Sequence, residues 1–325
     1  MKKILVTGGA GYIGSHAVRA LLNQGKEVLV VDNFEKGHRE AVPKEILIEG
    51  DLRDGAFIRD VFQKHPIESV MHFAADSYVG ESVENPGKYY ENNIISSLNL
   101  LHAMQKYGVK SIIFSSTAAV YGSGNGKPLK ETDPAEPINP YGFTKHIVER
   151  MLSDFADAHG LRFIALRYFN AAGADPKGGI GESHIPETHL IPLILAAAAG
   201  KLPALTLFGN DYHTPDGTCL RDYVHVTDIA EAHLSALAYL GQGGANTILN
   251  IGNNKGYSVL EVIKTAEQIT GKKIPVVTGD RRAGDPALLL CDNSLARQVL
   301  NWEPKLSSLE KIIETAWQWE LGRRF

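Results

Sequence analysis

Residues 3–14 read KILVTGGAGYIG, a short apolar run that breaks into glycines and passes directly into the helical stretch SHAVRALLNQG. This strand, turn and helix constrain the chain more than any other feature. The turn contains Gly9-x-Gly11-x-x-Gly14, and Gly8, Gly11 and Gly14 form an overlapping G-x-x-G-x-x-G. Glycines there let the backbone turn tightly and approach a pyrophosphate, which then meets the positive end of the helix dipole. A bare match is weak, because a glycine-rich turn that binds nothing has the same letters. Its context is stronger: Asp32 follows Gly8 by 24 residues, within the second apolar run EVLVVDN. A carboxylate there accepts hydrogen bonds from the adenosine ribose hydroxyls and repels a 2′-phosphate, so the spacing predicts NAD rather than NADP.

The same grain continues. EILIEGD, SVMHFAA, SIIFSS and RFIALRYFN are short apolar runs separated by helical periods, and they show little alternation. That pattern predicts an α/β fold, a doubly wound Rossmann-type parallel sheet covered by helices on both faces. Two helices, from about residue 86 to 107 and from about 141 to 159, are longer than the others. After Asn170 comes NAAGADPKGGIGESHIPETHL, rich in Gly, Pro and polar residues, which reads as a long loop and a boundary. The expected organisation is an NAD-binding domain at 1–170 and a smaller α/β substrate lobe at 171–325. Some segments near 222–250 are left open to return to the first domain, and ligand is expected in the cleft between the lobes.

A formal charge of −4 and the lack of a basic run give no footprint for nucleic acid or a membrane surface. No apolar stretch is long enough to span a bilayer, and the opening run is interrupted by glycines within a few residues, so neither a membrane segment nor a signal peptide is expected. The two cysteines, Cys219 and Cys291, fit a reducing compartment, and a cytoplasmic location is expected. His184 and His189 are five apart, without a supporting acid or cysteine pattern, so no metal site is expected.

The stretch YGFTK places Tyr141 four residues before Lys145, on one face of a helix. An ammonium beside a phenol lowers the phenol's pKa and makes a base, although an exposed helical turn shows the same spacing. FSSTAAVYG sets Ser115, Ser116 and Thr117 at a strand end, where ligands of open α/β sheets bind. Together these motifs gather a hydroxyl, a phenol and an ammonium around a nicotinamide.

With these motifs, and with VDNF, HFAADSYVGES, YYENN, LRYFNAAGA, PETHLIP, FGNDYHTPDGTCLRDYVHVTD and RRAGDP, the chain resembles the extended short-chain dehydrogenase/reductase family over essentially its whole length, and within it the UDP-hexose 4-epimerases. The resemblance implies inversion at C4′ of UDP-glucose or UDP-galactose through a 4-ketone, with tightly held NAD. Tyr141 is then the base, Lys145 the ribose-binding residue that lowers the tyrosine pKa, and Thr117 a partner of the sugar hydroxyl. Dehydratases of the family carry an Asp-Glu pair after that hydroxyl residue, and UDP-xylose-forming relatives a glutamate in the same stretch; here Ala118 and Ala119 follow.

For NAD the resemblance implicates Gly8, Gly11, Tyr12, Ile13, Gly14, Asp32, Asn33, Phe34, Asp51, Leu52, Phe73, Ala74, Ala75, Ser77, Asn92, Thr117, Tyr141, Lys145 and Phe169. Ser77 stands where some members have lysine, and Phe73 and Leu52 suit a plain core equally well. For the UDP-sugar it implicates Thr117, Tyr141, Asn170, Thr188, His189, Leu190, Thr206, Leu207, Phe208, Arg221, Arg282 and Asp285. His189 stands where some members have asparagine and either donates to the ligand or caps a helix; Arg282 reads equally well as a solvated charge, as does Arg281 beside it. A size gate near the sugar maps to Leu289, whose intermediate bulk leaves N-acetylated and uronic UDP-sugars open as substrates. A non-catalytic NAD-binding regulator is the reading from another class. A homodimer through the two long helices is also implied.

Overall fold

The unalternating apolar runs become strands buried on both faces. In the computed structural model, which describes residues 2–282 and 285–325, the first half contains β1 (Lys3–Thr7), α1 (Tyr12–Asn23), β2 (Val28–Asp32), β3 (Leu47–Glu49), α2 (Gly55–Lys64) and β4 (Ile67–His72). Next come α3 (Val79–Glu84), α4 (Pro86–Tyr89), a π-helical turn (Tyr90–Ile95), α5 (Ser96–Tyr107), β5 (Ser111–Thr117), α6 (Pro140–His159) and β6 (Arg162–Tyr168). These strands form one seven-stranded parallel sheet with a later strand, β10 (Thr247–Ile251), in the order β10-β6-β5-β4-β1-β2-β3.

Side chains along a strand alternate between faces, and the core divides accordingly. Ile4, Val6, Val30, Met71 and Ile113 pack with α1 in one apolar layer, while Leu5, Val31, Val70, Ile112 and Phe114 pack with α2, α5 and α6 in the other. The strand order reverses between β1 and β4. A crevice therefore opens beyond their carboxyl ends, where ligands of such sheets bind.

The helix expected over 86–107 is continuous in path but not in winding. Successive residues of an α-helix point about 100° apart, whereas the π turn directs both Asn92 and Asn93 toward Asp76. Asn92 Nδ2 donates to its carboxylate at 2.9 Å, Asn93 Oδ1 accepts from its backbone N–H at 2.8 Å, and Asn93 Nδ2 also reaches Thr144 on α6 at 3.0 Å. The start of α6 follows from Asn139, whose side chain accepts from Gly142 N–H at 2.8 Å, and from Pro140 in the first turn.

The second half contributes β7 (Asn170–Ala172), α7 (Leu190–Ala198), β8 (Leu205–Phe208), β9 (Leu220–His225), α8 (Val226–Gly241), β10 (Thr247–Ile251), β11 (Gly256–Ser258), α9 (Val259–Thr270), β12 (Val276–Gly279), β13 (Leu288–Leu289), α10 (Ser294–Leu300) and α11 (Leu309–Gly322). Strand β9 pairs with β7 and β13 in parallel and with β11 in antiparallel fashion, and β8 pairs with β12. Helices α7, α9 and α11 share a core with these strands through Ile194, Val262 and Ile313. Between the lobes the chain crosses back: α8 packs on α1, and β10 joins the large sheet beside β6. The return begins at Val226, because β9 stays with the smaller sheet. Helix α10 also packs on α8 and β10, a second return with no sequence signal of its own. Among the described residues no helix is long and apolar enough to cross a membrane.

Candidate active site

A cavity of about 1330 Å³ runs from the glycine turn across the ends of β1, β4, β5 and β6 to the smaller lobe. Single-ligand pockets span roughly 300–1,000 Å³, so this one has room for two ligands together.

At one end lies the glycine turn. Gly8 has φ +69°, and a Cβ there would sit 2.5 Å from Ala74 N; a Cβ on Gly14 would sit 2.2 Å from Gly8 O. The backbones of the turn, α1 and the segment after β4 are thus in direct contact, leaving the first N–H groups of α1 at the cavity wall. Asp32 is 7% exposed and faces the same space. Its carboxylate accepts from Ala10 N–H and Phe34 N–H, both at 2.9 Å, and burial raises its pKa against those bonds. A cradle that no Cβ can enter, ending in an acceptor pair at the second strand, fits an NAD pyrophosphate and ribose.

Of the residues expected to hold NAD, all but Phe34 line the cavity. Phe34 adopts φ +61° and packs under Arg39, 4.0 Å from its ring centroid, leaving only its backbone near Asp32. Asn33 donates to Asp51 at 3.1 Å, and Arg53 lowers the Asp51 pKa to about 2. Tyr12 spends its hydroxyl on Gly173 O at 2.6 Å, tying the turn to the loop after β7. Lys36 also reaches the cavity, its ammonium 4.5 Å from the Tyr78 ring centroid, and no motif had marked it.

The centre gathers Thr117 from β5 with Tyr141 and Lys145 from α6. Burial raises the Tyr141 pKa, and the Thr117 hydroxyl opposes that rise. Tyr141 and Lys145 share this wall, as their spacing on α6 predicts. A buried ammonium requires an acceptor, and Lys145 Nζ donates to Ser115 O at 2.8 Å while lying 4.9 Å from the Phe114 ring centroid. Burial lowers its pKa to about 7, against the raising field of Glu149. Glu149 itself is buried, accepting from Ser116 Oγ at 2.6 Å and from Arg167 at 2.8 and 2.6 Å.

At the other end stand Asn170, Thr188, His189, Leu190, Thr206, Leu207, Phe208, Arg221, Arg282, Asp285 and Leu289, all on the cavity wall. Arg221 is ion-paired with Asp285, and Arg282 stacks 4.1 Å from the Phe208 ring centroid. Arg281 points elsewhere, to Asp211 at 2.7 Å, which separates the two adjacent arginines. Within RRAGDP, Ala283 and Gly284 lie outside the described residues. Leu289 packs beside Phe169 and Ala118.

His189 precedes α7 without a side-chain capping bond. Its Nδ1 lies 2.8 Å from Glu182 Oε1 and 3.1 Å from Glu187 Oε1, and His184 joins the same group. The expectation that the two histidines lack a supporting acid pattern is thereby corrected. Glu182 and Glu187 alternate with them in the spacing E-x-H-x-x-E-x-H, within a stretch whose Gly and Pro content reads as loop.

Comparison with known proteins agrees with this geometry. The model of the NAD dependent epimerase/dehydratase family matches residues 4–252. A UDP-glucose 4-epimerase of Halalkalibacterium halodurans is 51% identical over 316 residues, covering 97% of this chain and 95% of that protein. The crystal structure of a Brucella ovis UDP-glucose 4-epimerase in complex with NAD is 47% identical, with a TM-score of 0.95 and 98% of each chain covered. A Bifidobacterium longum UDP-glucose 4-epimerase, solved with NAD+ and UDP, is 38% identical, with a TM-score of 0.93 and 99% of each chain covered. The chain belongs to the NAD dependent epimerase/dehydratase family.

Proposed function

We propose that the chain is an NAD-dependent 4-epimerase that interconverts UDP-glucose and UDP-galactose. The observation that carries this reading is the meeting of Thr117, Tyr141 and Lys145 midway between a dinucleotide cradle and a wall bearing Arg221 and Arg282. The hydrogen on C4′ of a hexose is not acidic, so inversion by deprotonation faces a prohibitive barrier and oxidation to a 4-ketone avoids it. When bound, NAD supplies the acceptor for that hydrogen and returns it. Tyr141 takes the C4′ hydroxyl proton and gives it back, and Thr117 orients that hydroxyl. Lys145, fixed to Ser115 O, brings positive charge to the nicotinamide ribose. Ala118 and Ala119 follow Thr117 on this wall and offer no proton for elimination, which sets the chain apart from dehydratases.

In this reading the large sheet with its returning segments holds NAD, through the Gly8–Gly14 turn, Asp32 and the walls formed by Leu52 and Phe73. The smaller lobe holds the nucleotide, its diphosphate gripped by guanidinium groups and its uracil laid beside Thr206, Leu207 and Phe208. A homodimer forms through the helices of residues 86–107 and 140–159. Tyr90, Ile95 and Phe143 leave apolar side chains 39%, 45% and 44% exposed there, which supports an apolar interface.

Replacing Tyr141→Phe tests the assignment. The variant is expected to copurify with NAD and to lose at least about a hundredfold in kcat, within the span of acid–base catalysis. Unchanged turnover rejects Tyr141 as the base.

A further inference from the structure

Four side chains on the loop before α7 converge in a way the proposed reaction does not use. Glu182, His184, Glu187 and His189 each bring one oxygen or imidazole nitrogen to a common point, all within 4.8 Å of one another. Both imidazoles turn Nδ1 inward: His189 Nδ1 lies 2.8 and 3.1 Å from Glu182 and Glu187, and His184 Nδ1 lies 3.3 and 3.6 Å from the same two. Donor atoms bound tetrahedrally at about 2.1 Å stand about 3.4 Å apart. The four imidazole–carboxylate contacts, which use Glu187 Oε1 toward His189 and Glu187 Oε2 toward His184, run from 2.8 to 3.6 Å and lie near that separation.

Ion pairing alone leaves this arrangement poorly satisfied. Each Nδ1 carries at most one proton yet faces two carboxylates. His189 Nδ1 is within hydrogen-bonding geometry of Glu187 Oε1. His184 Nδ1 and Glu187 Oε2 are buried atoms without a hydrogen-bond partner, both aimed into the cluster. Tyr12 and Tyr78 hold the His184 ring edge-on from the large domain, at centroid distances of 6.4 and 5.7 Å, and so limit its freedom to turn away.

We propose that Glu182, His184, Glu187 and His189 bind one divalent transition-metal ion, Zn²⁺ or Co²⁺ in character, which expands from four to five ligands to take a phosphate oxygen of the nucleotide sugar. Two imidazoles and two carboxylates form the N₂O₂ set that borderline ions accept, and the carboxylates neutralise the ion's charge. All four residues share the cavity wall with Arg221 and Arg282. The ion's ligand, a diphosphate, rests on the UDP-sugar reading; the ion site itself does not. Metal entry displaces the protons shared among these groups, so uptake weakens as pH falls.

The test uses the tag-free, full-length protein with its copurified cofactor, dialysed against chelator and titrated with Co²⁺ alone. The expected result is one equivalent bound with a visible ligand-field absorption, lost in both His184→Ala and Glu187→Gln. Addition of UDP then alters that spectrum. No uptake, or uptake that both variants retain, overturns the site; if one variant fails to fold, the other decides. A spectrum indifferent to UDP overturns the phosphate ligand. Conversion of UDP-galactose is measured on the same samples: turnover without Co²⁺ uptake rejects the metal alone, and uptake without turnover rejects the epimerase reading alone.

Discussion

Ser116 Oγ lies 2.6 Å from Glu149 Oε1 and donates to it across 33 residues of chain, binding the end of β5 to the helix that carries Tyr141 and Lys145. The same carboxylate receives both arms of Arg167 from β6. The two elements that supply the reactive groups, β5 and α6, are therefore locked with β6 by one buried anion, one helical turn beyond Lys145. Removing it in Glu149→Ala leaves Arg167 buried and unpaired, and is expected to lower stability by about 3–5 kcal/mol in urea unfolding. The double replacement of Glu149→Leu with Arg167→Met is expected to recover most of that loss, since an apolar pair has no charge to strand. A single variant as stable as the wild type contradicts the lock.

The glycine turn makes a second prediction. In Gly14→Ala the new methyl meets Gly8 O at 2.2 Å and Gly9 Cα at 2.9 Å, both backbone atoms with no rotamer to yield. Overpacking of this kind costs about 1–3 kcal/mol. The variant is expected to copurify with less nicotinamide than the wild type and to melt earlier. Full cofactor occupancy would show that the turn can relax.

Asp222 predicts a pH dependence of stability. Its carboxyl is wholly buried on β9, where burial raises the pKa to about 7, while Asn253 N–H and Cys291 N–H contacts pull the other way. Between the ordinary value of 3.8 and about 7 the native state holds a proton that the unfolded chain has released. This group's contribution is complete below the lower value and fades as pH rises through the higher one. The stability advantage of wild type over Asp222→Asn is therefore expected to shrink from about pH 5 to about pH 8 in urea midpoints. An advantage that grows over that interval contradicts the raised pKa.

Arg281 and Arg282 are neighbours with different surroundings. Arg281 pairs outward with Asp211, and Arg282 lies on the cavity wall over Phe208. Hydrogen bonds to charged groups contribute about 1.5–3 kcal/mol, so Arg282→Ala is expected to raise KM for UDP-galactose about 10–100-fold. Arg281→Ala is expected to leave it within about twofold, as exposed pairs contribute little. Equal effects would contradict this division of roles between the two arginines.

The large sheet was legible because its strands are buried on both faces, so their apolar runs stand out without reference to partners. Helix α10 was not, since its seven residues join the first domain only through contacts with α8 and β10. Motif spacing located the residues on the cavity wall, as side-chain direction follows from position on a strand end or helix face. It failed where geometry is settled by non-local acceptors. No motif marked Ser115 O as the acceptor of the Lys145 ammonium, and none placed the Phe34 ring under Arg39. The π turn at Tyr90–Ile95 had no distinguishing letters, because its cause is the Asp76 segment that Asn92 and Asn93 both reach. The cluster around His189 shows the reverse failure, since its acids were adjacent in sequence and only folding showed that they converge.

The central claim is that the hydrogen leaving C4′ stays within the protein and returns to the same carbon. Conversion of UDP-galactose carrying deuterium at C4′, followed by NMR of the product in ordinary water without added cofactor, tests this directly. The account predicts UDP-glucose with deuterium retained at C4′. Product carrying solvent hydrogen at that carbon would contradict it.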